Sequence, residues 1–308
     1  MSHIPVLEIG GTHVTAAVID TGAGLPVPRT VVRRPVAAGA AAGELLDAIA
    51  GAADRADVGE GAHWGVAIPG PFDYAAGVGR FRGIGKFESL HGVDVRAELL
   101  GRLPANPRGI SFINDADAFA VGEYRAGAAS GHERAVCITL GTGVGSSFLA
   151  AGQPVVEGPD VPPYGRAHRL TVDGLPLEEV VSRRAIRRYY TDLVGGADEG
   201  RAPDVHDIAV LARDGDPYAQ RAIGHCFGAL GRVLAPWCER FGASLMVVGG
   251  SMTGSWDLVG PALRAGLEAA GSGTAPPLAT ALRPADAPLI GAAHWILHRS
   301  AGAASVRT

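Results

Sequence analysis

The chain has 308 residues, 47% of them apolar and 19% charged, with a formal net charge of −4. At roughly 150 residues per domain this predicts two domains with ample apolar chain for buried cores, and it excludes a disordered protein or a coiled coil. No apolar run approaches the ~18 residues that span a bilayer, so no membrane association is expected. The chain enters a strand-like segment at Ile4 to Ile9 with no basic flank or cleavage site, which predicts a cytoplasmic protein. Cys137, Cys226 and Cys238 are too few and too scattered for a disulfide framework. Arg183, Arg184, Arg187 and Arg188 recur at helical spacing and read as a solvated face, since nucleic-acid binding needs a broader basic stripe. Against 26 arginines there is one lysine, Lys86. Glycine reaches 45 residues, about twice its usual share of roughly 7%, and falls at strand ends.

In chain order, Val6 to Ile9 reads as a strand, Gly10-Gly11-Thr12 as a tight turn and Val14 to Ile19 as the returning strand of a hairpin. Ala40 to Ala53 is an alanine-rich helix. Trp64 to Ile68 is a short strand ended by the rigid turn Pro69-Gly70-Pro71. A helix follows at Asp94 to Leu100, then a strand at Gly109 to Ile113 that delivers Asn114-Asp115 into a helix, Ala116 to Tyr124. The opening pattern then returns as strand Ala135 to Leu140, turn Gly141-Thr142-Gly143 and strand Val144 to Ala150, a diverged internal duplication. Glu178 to Leu193 and Ile208 to Phe241 read as helices, with a break at Asp214-Gly215-Asp216-Pro217. Ser244 to Val248 is a strand running into Gly249-Gly250, and Ile290 to Arg299 is the last helix.

Three glycine turns therefore follow apolar strands. Backbone N–H groups at such turns line a concavity suited to phosphate oxygens, and the hydroxyls of Thr12 and Thr142 add donors. The plainer alternative is three tight hairpins. Gly83-Ile84-Gly85-Lys86 is followed by Phe87, so it is not a P-loop. Gly141-x-Gly143-x-Gly145 runs into a strand, whereas a dinucleotide fingerprint opens a helix. A dinucleotide-dependent oxidoreductase is thus a lesser reading. Asp115 opens a helix, where a carboxylate serves either as a first-turn partner of the helix dipole or as a general base. In the second role it accepts a substrate hydroxyl proton during attack on a γ-phosphoryl group. Nothing in the order of Ser, His and Asp suggests a hydrolase.

These segments, in this order, resemble the ROK family of sugar kinases and sugar-responsive repressors. Glu8-Ile9-Gly10-Gly11-Thr12 is similar to the family's D-x-G-G-T, and Gly65 to Pro71 to its G-x-x-x-P-G-P. Asn114 to Glu123 is similar to N-D-A-N-A-x-A-x-G-E, the most specific match. Leu140 to Gly145 resembles the second phosphate segment and Val247 to Gly250 the adenosine segment. The resemblance implies an α/β protein of two RNase H-like, actin-like ATPase domains flanking a cleft, here residues 1–117 with 290–308, and 118–289. It further implies ATP and Mg²⁺ opposite a sugar or sugar-like polyol, and a homodimer. Asp115 then matches the catalytic base. Gly10, Gly11, Thr12, Gly141, Thr142, Gly143, Gly249 and Gly250 match ATP and phosphate positions, and Gly70, Asn114, Glu178 and His168 match acceptor positions. The family's repressors carry a helix-turn-helix ahead of this hairpin, for which residues before Val6 leave no room.

The departures lie mostly on the acceptor side. Glu8 stands where the family has an aspartate near Mg²⁺. The cysteines of the family's zinc segment have no counterpart between His168 and Leu177-Glu178, so no zinc site is expected. Gly165 replaces a glutamate that binds sugar hydroxyls. Arg82 to Phe87 replaces the substrate loop, where Lys86 offers a cation to a polar or anionic substrate group. The expected acceptor is an amino sugar, a modified hexose or a cyclitol rather than plain glucose. The rival reading is a sugar- or nucleotide-sensing protein disabled by Glu8.

Overall fold

The computed structural model describes residues 3–56, 58–196 and 203–305. They group into two compact units, Met1–Ser130 with Arg283–Thr308, and Gly131–Leu282. The first unit contains β1 (His3–Ile9), β2 (His13–Asp20), β3 (Leu25–Pro26), β4 (Val32–Pro35), α1 (Ala42–Gly51), β5 (His63–Ile68), β6 (Phe72–Asp73), β7 (Val78–Gly79), α2 (Val95–Leu100), β8 (Gly109–Asn114) and α3 (Asp115–Ala126). The second contains β9 (Arg134–Leu140), β10 (Val144–Ala150), β11 (Gln153–Pro154), β12 (Thr171–Val172), β13 (Leu175–Pro176), α4 (Glu178–Val181), α5 (Arg183–Leu193), α6 (Val205–Arg213), α7 (Pro217–Phe241), β14 (Leu245–Gly249), α8 (Trp256–Ala270) and β15 (Leu278–Thr280). The chain then returns to the first unit as α9 (Ala287–Ser305).

In the first unit the sheet order is β3-β2-β1-β5-β8, with β4 also on β2. β1 pairs antiparallel with β2 and parallel with β5, and β5 pairs parallel with β8. Strand alternation decides which side chains go where. Leu7 and Ile9 enter one core with Leu45, Ile49, Trp64 and Phe112. Ile4 and Val6 enter the other with Ala118, Leu289 and Ile290. Period 2 places Glu8 on this second face, the side covered by α3 and α9.

The second unit repeats the ladder as β11-β10-β9-β14-β15, again a hairpin followed by parallel strands. The returning sequence pattern is thus a returning topology. The division at 130/131 and 282/283 differs from the 117/118 and 289/290 of the sequence reading because α3 and α9 pack as one layer. A Cβ at Gly122 would collide with the Ala287 backbone, and one at Gly291 with that of Ala118. The helix expected over Glu178 to Leu193 also breaks. Ser182 adopts extended backbone (φ −65°, ψ 160°), and its hydroxyl accepts the Ala185 N–H at 3.3 Å, starting α5 afresh. Among the described residues no helix is long and apolar enough to cross a membrane.

Candidate active site

In the first unit three parallel strands, β1, β5 and β8, end on the same edge, where open α/β sheets bind ligands. They hand the chain to Gly10-Gly11-Thr12, Pro69-Gly70-Pro71 and Asn114-Asp115. Glu8 pairs across the hairpin with Thr15, whose hydroxyl donates to Glu8 Oε2 at 3.3 Å. The Glu8 side chain keeps only 19% of its exposure. Burial first, then the Asp115 carboxylate, push its carboxyl up to about 7, against the opposing pull of Thr15 and Arg33. A buried carboxylate destabilised by a second carboxylate is relieved by a divalent cation, and Glu8 is the side chain that would hold Mg²⁺.

Asn114 is 8% exposed and caps α3, its Oδ1 accepting the N–H groups of Ala116 (3.1 Å) and Asp117 (3.3 Å). Its Nδ2 donates to the Tyr74 hydroxyl at 3.0 Å, and that hydroxyl donates to the Ile68 carbonyl at 3.3 Å. One amide hydrogen of Asn114 thus remains for an acceptor. Asp115 begins α3 and takes the Ala116 N–H on Oδ1 at 2.9 Å, so its carboxylate sits at a helix N-terminus. Asp115 thus serves the helix start, and its charge is felt by Glu8.

His13, Arg33 and Tyr74 went unnoticed in the sequence. Arg33 Nη2 lies 3.2 Å from His13 Nδ1 and the Thr12 hydroxyl 3.1 Å from it. Guanidinium only donates, so Nδ1 must accept and the neutral ring carries its proton on Nε2, 3.7 Å from Glu8 Oε2. Burial and then Arg33 hold His13 below the usual histidine range. The signal was the hairpin register, which sets Thr15 opposite both Glu8 and Arg33.

The second unit brings its two turns together. Gly249 pairs with Thr139, and Gly250 packs against the Leu140 backbone beside Gly141. Gly141 donates its N–H to the Gly143 carbonyl at 3.1 Å, closing the turn, and Thr142 is exposed at its tip. Glu178, which opens α4, accepts the Val144 N–H on Oε1 at 3.0 Å and lies against Gly143. The structure thus sets Glu178 on the Gly141–Gly143 turn. A cavity of about 160 Å³ beside Gly250 is lined by Arg183, Asp204, His206, Ser251, Met252 and Ser255. Arg183 binds Asp204 there, and Arg184 and Arg188 bind Glu179, so the arginine row is the solvated face expected, with surface ion pairs on it.

His168 is half-buried in the turn Ala167–Arg169. That segment is pinned by Ser146, whose Oγ donates to the Gly165 carbonyl (2.8 Å) and accepts the Ala167 N–H (2.7 Å). Gly165 has φ +68°, and a Cβ there would lie 2.9 Å from the Val155 carbonyl oxygen. A glutamate there would therefore be strained by backbone and space together. Among the described residues no group of three or more His, Cys, Asp or Glu side chains is placed to hold a metal.

The sequence model of the ROK family matches residues 5–162 and 172–299. The chain belongs to the ROK family. The matched ranges leave out 163–171, the segment of Gly165 and His168. The glucokinase of Streptomyces coelicolor is 30% identical over 82% of this chain and 83% of its own. The glucokinase of Thermotoga maritima is 30% identical over 67% of this ROK chain and 68% of its own. The crystal structure of the ROK hexokinase from Thermus thermophilus superposes with a TM-score of 0.75 at 28% identity, covering 95% and 97% of the two chains. The fold is accordingly that of the actin-like ATPases, in a family of sugar kinases.

Proposed function

We propose that the protein transfers the γ-phosphoryl group of ATP to a hydroxyl of a sugar or sugar-like polyol. The reading rests on one observation above all, the Asp115 carboxylate directly after the carboxyl end of β8, its charge felt by Glu8, which precedes the Gly10–Thr12 turn. Asp115 accepts the acceptor's hydroxyl proton as the oxygen attacks phosphorus. Gly10, Gly11, Thr12, Gly141, Thr142 and Gly143 bind phosphate oxygens, and Gly249 and Gly250 belong to the adenosine segment. Glu8 would hold Mg²⁺, which would supply charge neutralisation on the phosphates and leave Asp115 to act as the base. Asn114 orients the acceptor with its remaining amide hydrogen, supported by Gly70, Glu178 and His168. With no glutamate at 165, one hydroxyl-reading carboxylate is gone, which supports an amino sugar, a modified hexose or a cyclitol over plain glucose.

Glu8 favours a second reading. A carboxyl that is half protonated near neutrality is a poor Mg²⁺ ligand, as expected of a sensor that binds nucleotide or sugar without turnover. The test is ADP release with Mg²⁺ and ATP across hexoses, amino sugars, N-acetylated sugars and cyclitols, with Asp115→Ala in parallel. Release with one class, lost at least about 100-fold in the variant, is the expected result. Silence of the natural chain with activity in Glu8→Asp would establish the sensor instead.

A further inference from the structure

Lys86 was expected at the acceptor because its loop replaces the family's substrate segment. Its position argues otherwise. The Lys86 side chain crosses the first phosphate turn, with Cδ 3.9 Å from where a Cβ of Gly11 would stand. Lys86 is half-buried, and among the described residues no carboxylate pairs with its ammonium. The neighbouring acid, Glu88, is spent on the backbone, accepting the Gly85 N–H at 2.9 Å.

The loop is also built to hold the lysine there. Phe81 and Phe87 flank it, both with no exposure, and their rings lie 5.4 Å apart in the core. Phe87 takes left-handed backbone (φ 57°, ψ 20°), a conformation that bulky residues avoid, and donates its N–H to the Ala38 carbonyl at 2.8 Å. A turn anchored on both sides, strained at the residue after its lysine, makes Lys86 a positioned group rather than a trailing surface lysine.

Resting on the kinase reading, we infer that Lys86 is a catalytic residue for the nucleotide, contacting the transferring γ-phosphoryl group rather than the acceptor. As the acceptor oxygen bonds to phosphorus, the bond to the β–γ bridging oxygen breaks and its electron pair leaves with ADP. The hydroxyl proton goes to Asp115. Lys86 keeps its own proton and donates charge-assisted hydrogen bonds to the γ-phosphoryl oxygens, where negative charge accumulates.

Because Lys86 is the single lysine, amine acetylation followed by peptide mapping reports on one side chain, separately from the N-terminal amine. Mg²⁺ with a non-hydrolysable ATP analogue should slow acetylation of Lys86 at least about tenfold. ADP should protect less, and acceptor alone not at all. Lys86→Met should lower kcat/KM for ATP about 100-fold, with KM for the acceptor unchanged and partial recovery in Lys86→Arg. Protection by acceptor without nucleotide would return Lys86 to the substrate side and overturn the inference. Equal labelling in every state would make it a surface residue. Calorimetry on the untreated protein separates the two levels: nucleotide binding without protection sinks the Lys86 role alone, whereas no nucleotide binding sinks the kinase reading with it.

Discussion

Glu8 occupies the position where one methylene and one neighbouring charge change the chemistry most. Its carboxyl titrates at about 7 in the folded chain and at the ordinary 4.5 when unfolded, because burial and then Asp115 disfavour the anion. Between those values the folded chain holds a proton that the unfolded chain has released. The contribution of Glu8 to stability is therefore fullest below about 4.5 and falls as pH rises to about 7, by at most about 3 kcal/mol. Glu8→Gln removes this titration. Urea midpoints at pH 5 and pH 8 should differ more in the natural chain than in the variant, and equal slopes would refute the assignment. Bound Mg²⁺ would act oppositely, drawing Glu8 to its ionised form, so ligand-free protein is the material for this measurement.

At the scale of elements, the two hairpins and their glycine turns were legible because apolar runs of strand length flank residues that permit close turns. Asp115 and the glycines of both phosphate turns were legible with them. The break at Ser182 was not, since a capping serine inside a polar helical stretch looks like any other helix residue. Lys86 over Gly11, Tyr74 under Asn114 and Arg33 on His13 were also hidden, because loop path and strand register bring them together across 20 to 75 residues of chain. The α3–α9 contact was hidden for the same reason, as Gly122 and Gly291 acquire meaning only when the last helix lies on the third. That contact predicts a large penalty for a small change. Gly291→Ala drives a methyl into the Ala118 backbone and should cost about 1–3 kcal/mol, read as a lowered urea midpoint. Gly165→Glu belongs to the same class. Restoring the family's glutamate should destabilise by about 1–3 kcal/mol through strain at φ +68° and the Val155 carbonyl, without conferring activity on glucose. A stable Gly165→Glu protein with new glucose phosphorylation would show that the segment can refold around the side chain.

For the whole molecule, the decisive property is that each unit buries its own core. Residues such as Val136, Phe148, Phe227 and Leu263 form one, while Leu7, Trp64, Phe81 and Phe112 belong to another. Two cores with separate sheets predict calorimetric unfolding that departs from a single two-state transition. Each unit carries one of the proposed phosphate-binding turns, Gly10–Thr12 in the first and Gly141–Gly143 in the second. A ligand stabilises whatever must fold to bind it, by about 2.7 kcal/mol at 100 times its Kd. Mg²⁺ with a non-hydrolysable ATP analogue should therefore raise both transitions or merge them into one. A nucleotide that raises only the transition of the second unit would place its binding energy on Gly141–Gly143 and Gly249–Gly250 alone. The Gly10–Thr12 turn would then be a structural hairpin, and the proposed transfer to an acceptor beside Asp115 would lose its phosphate donor.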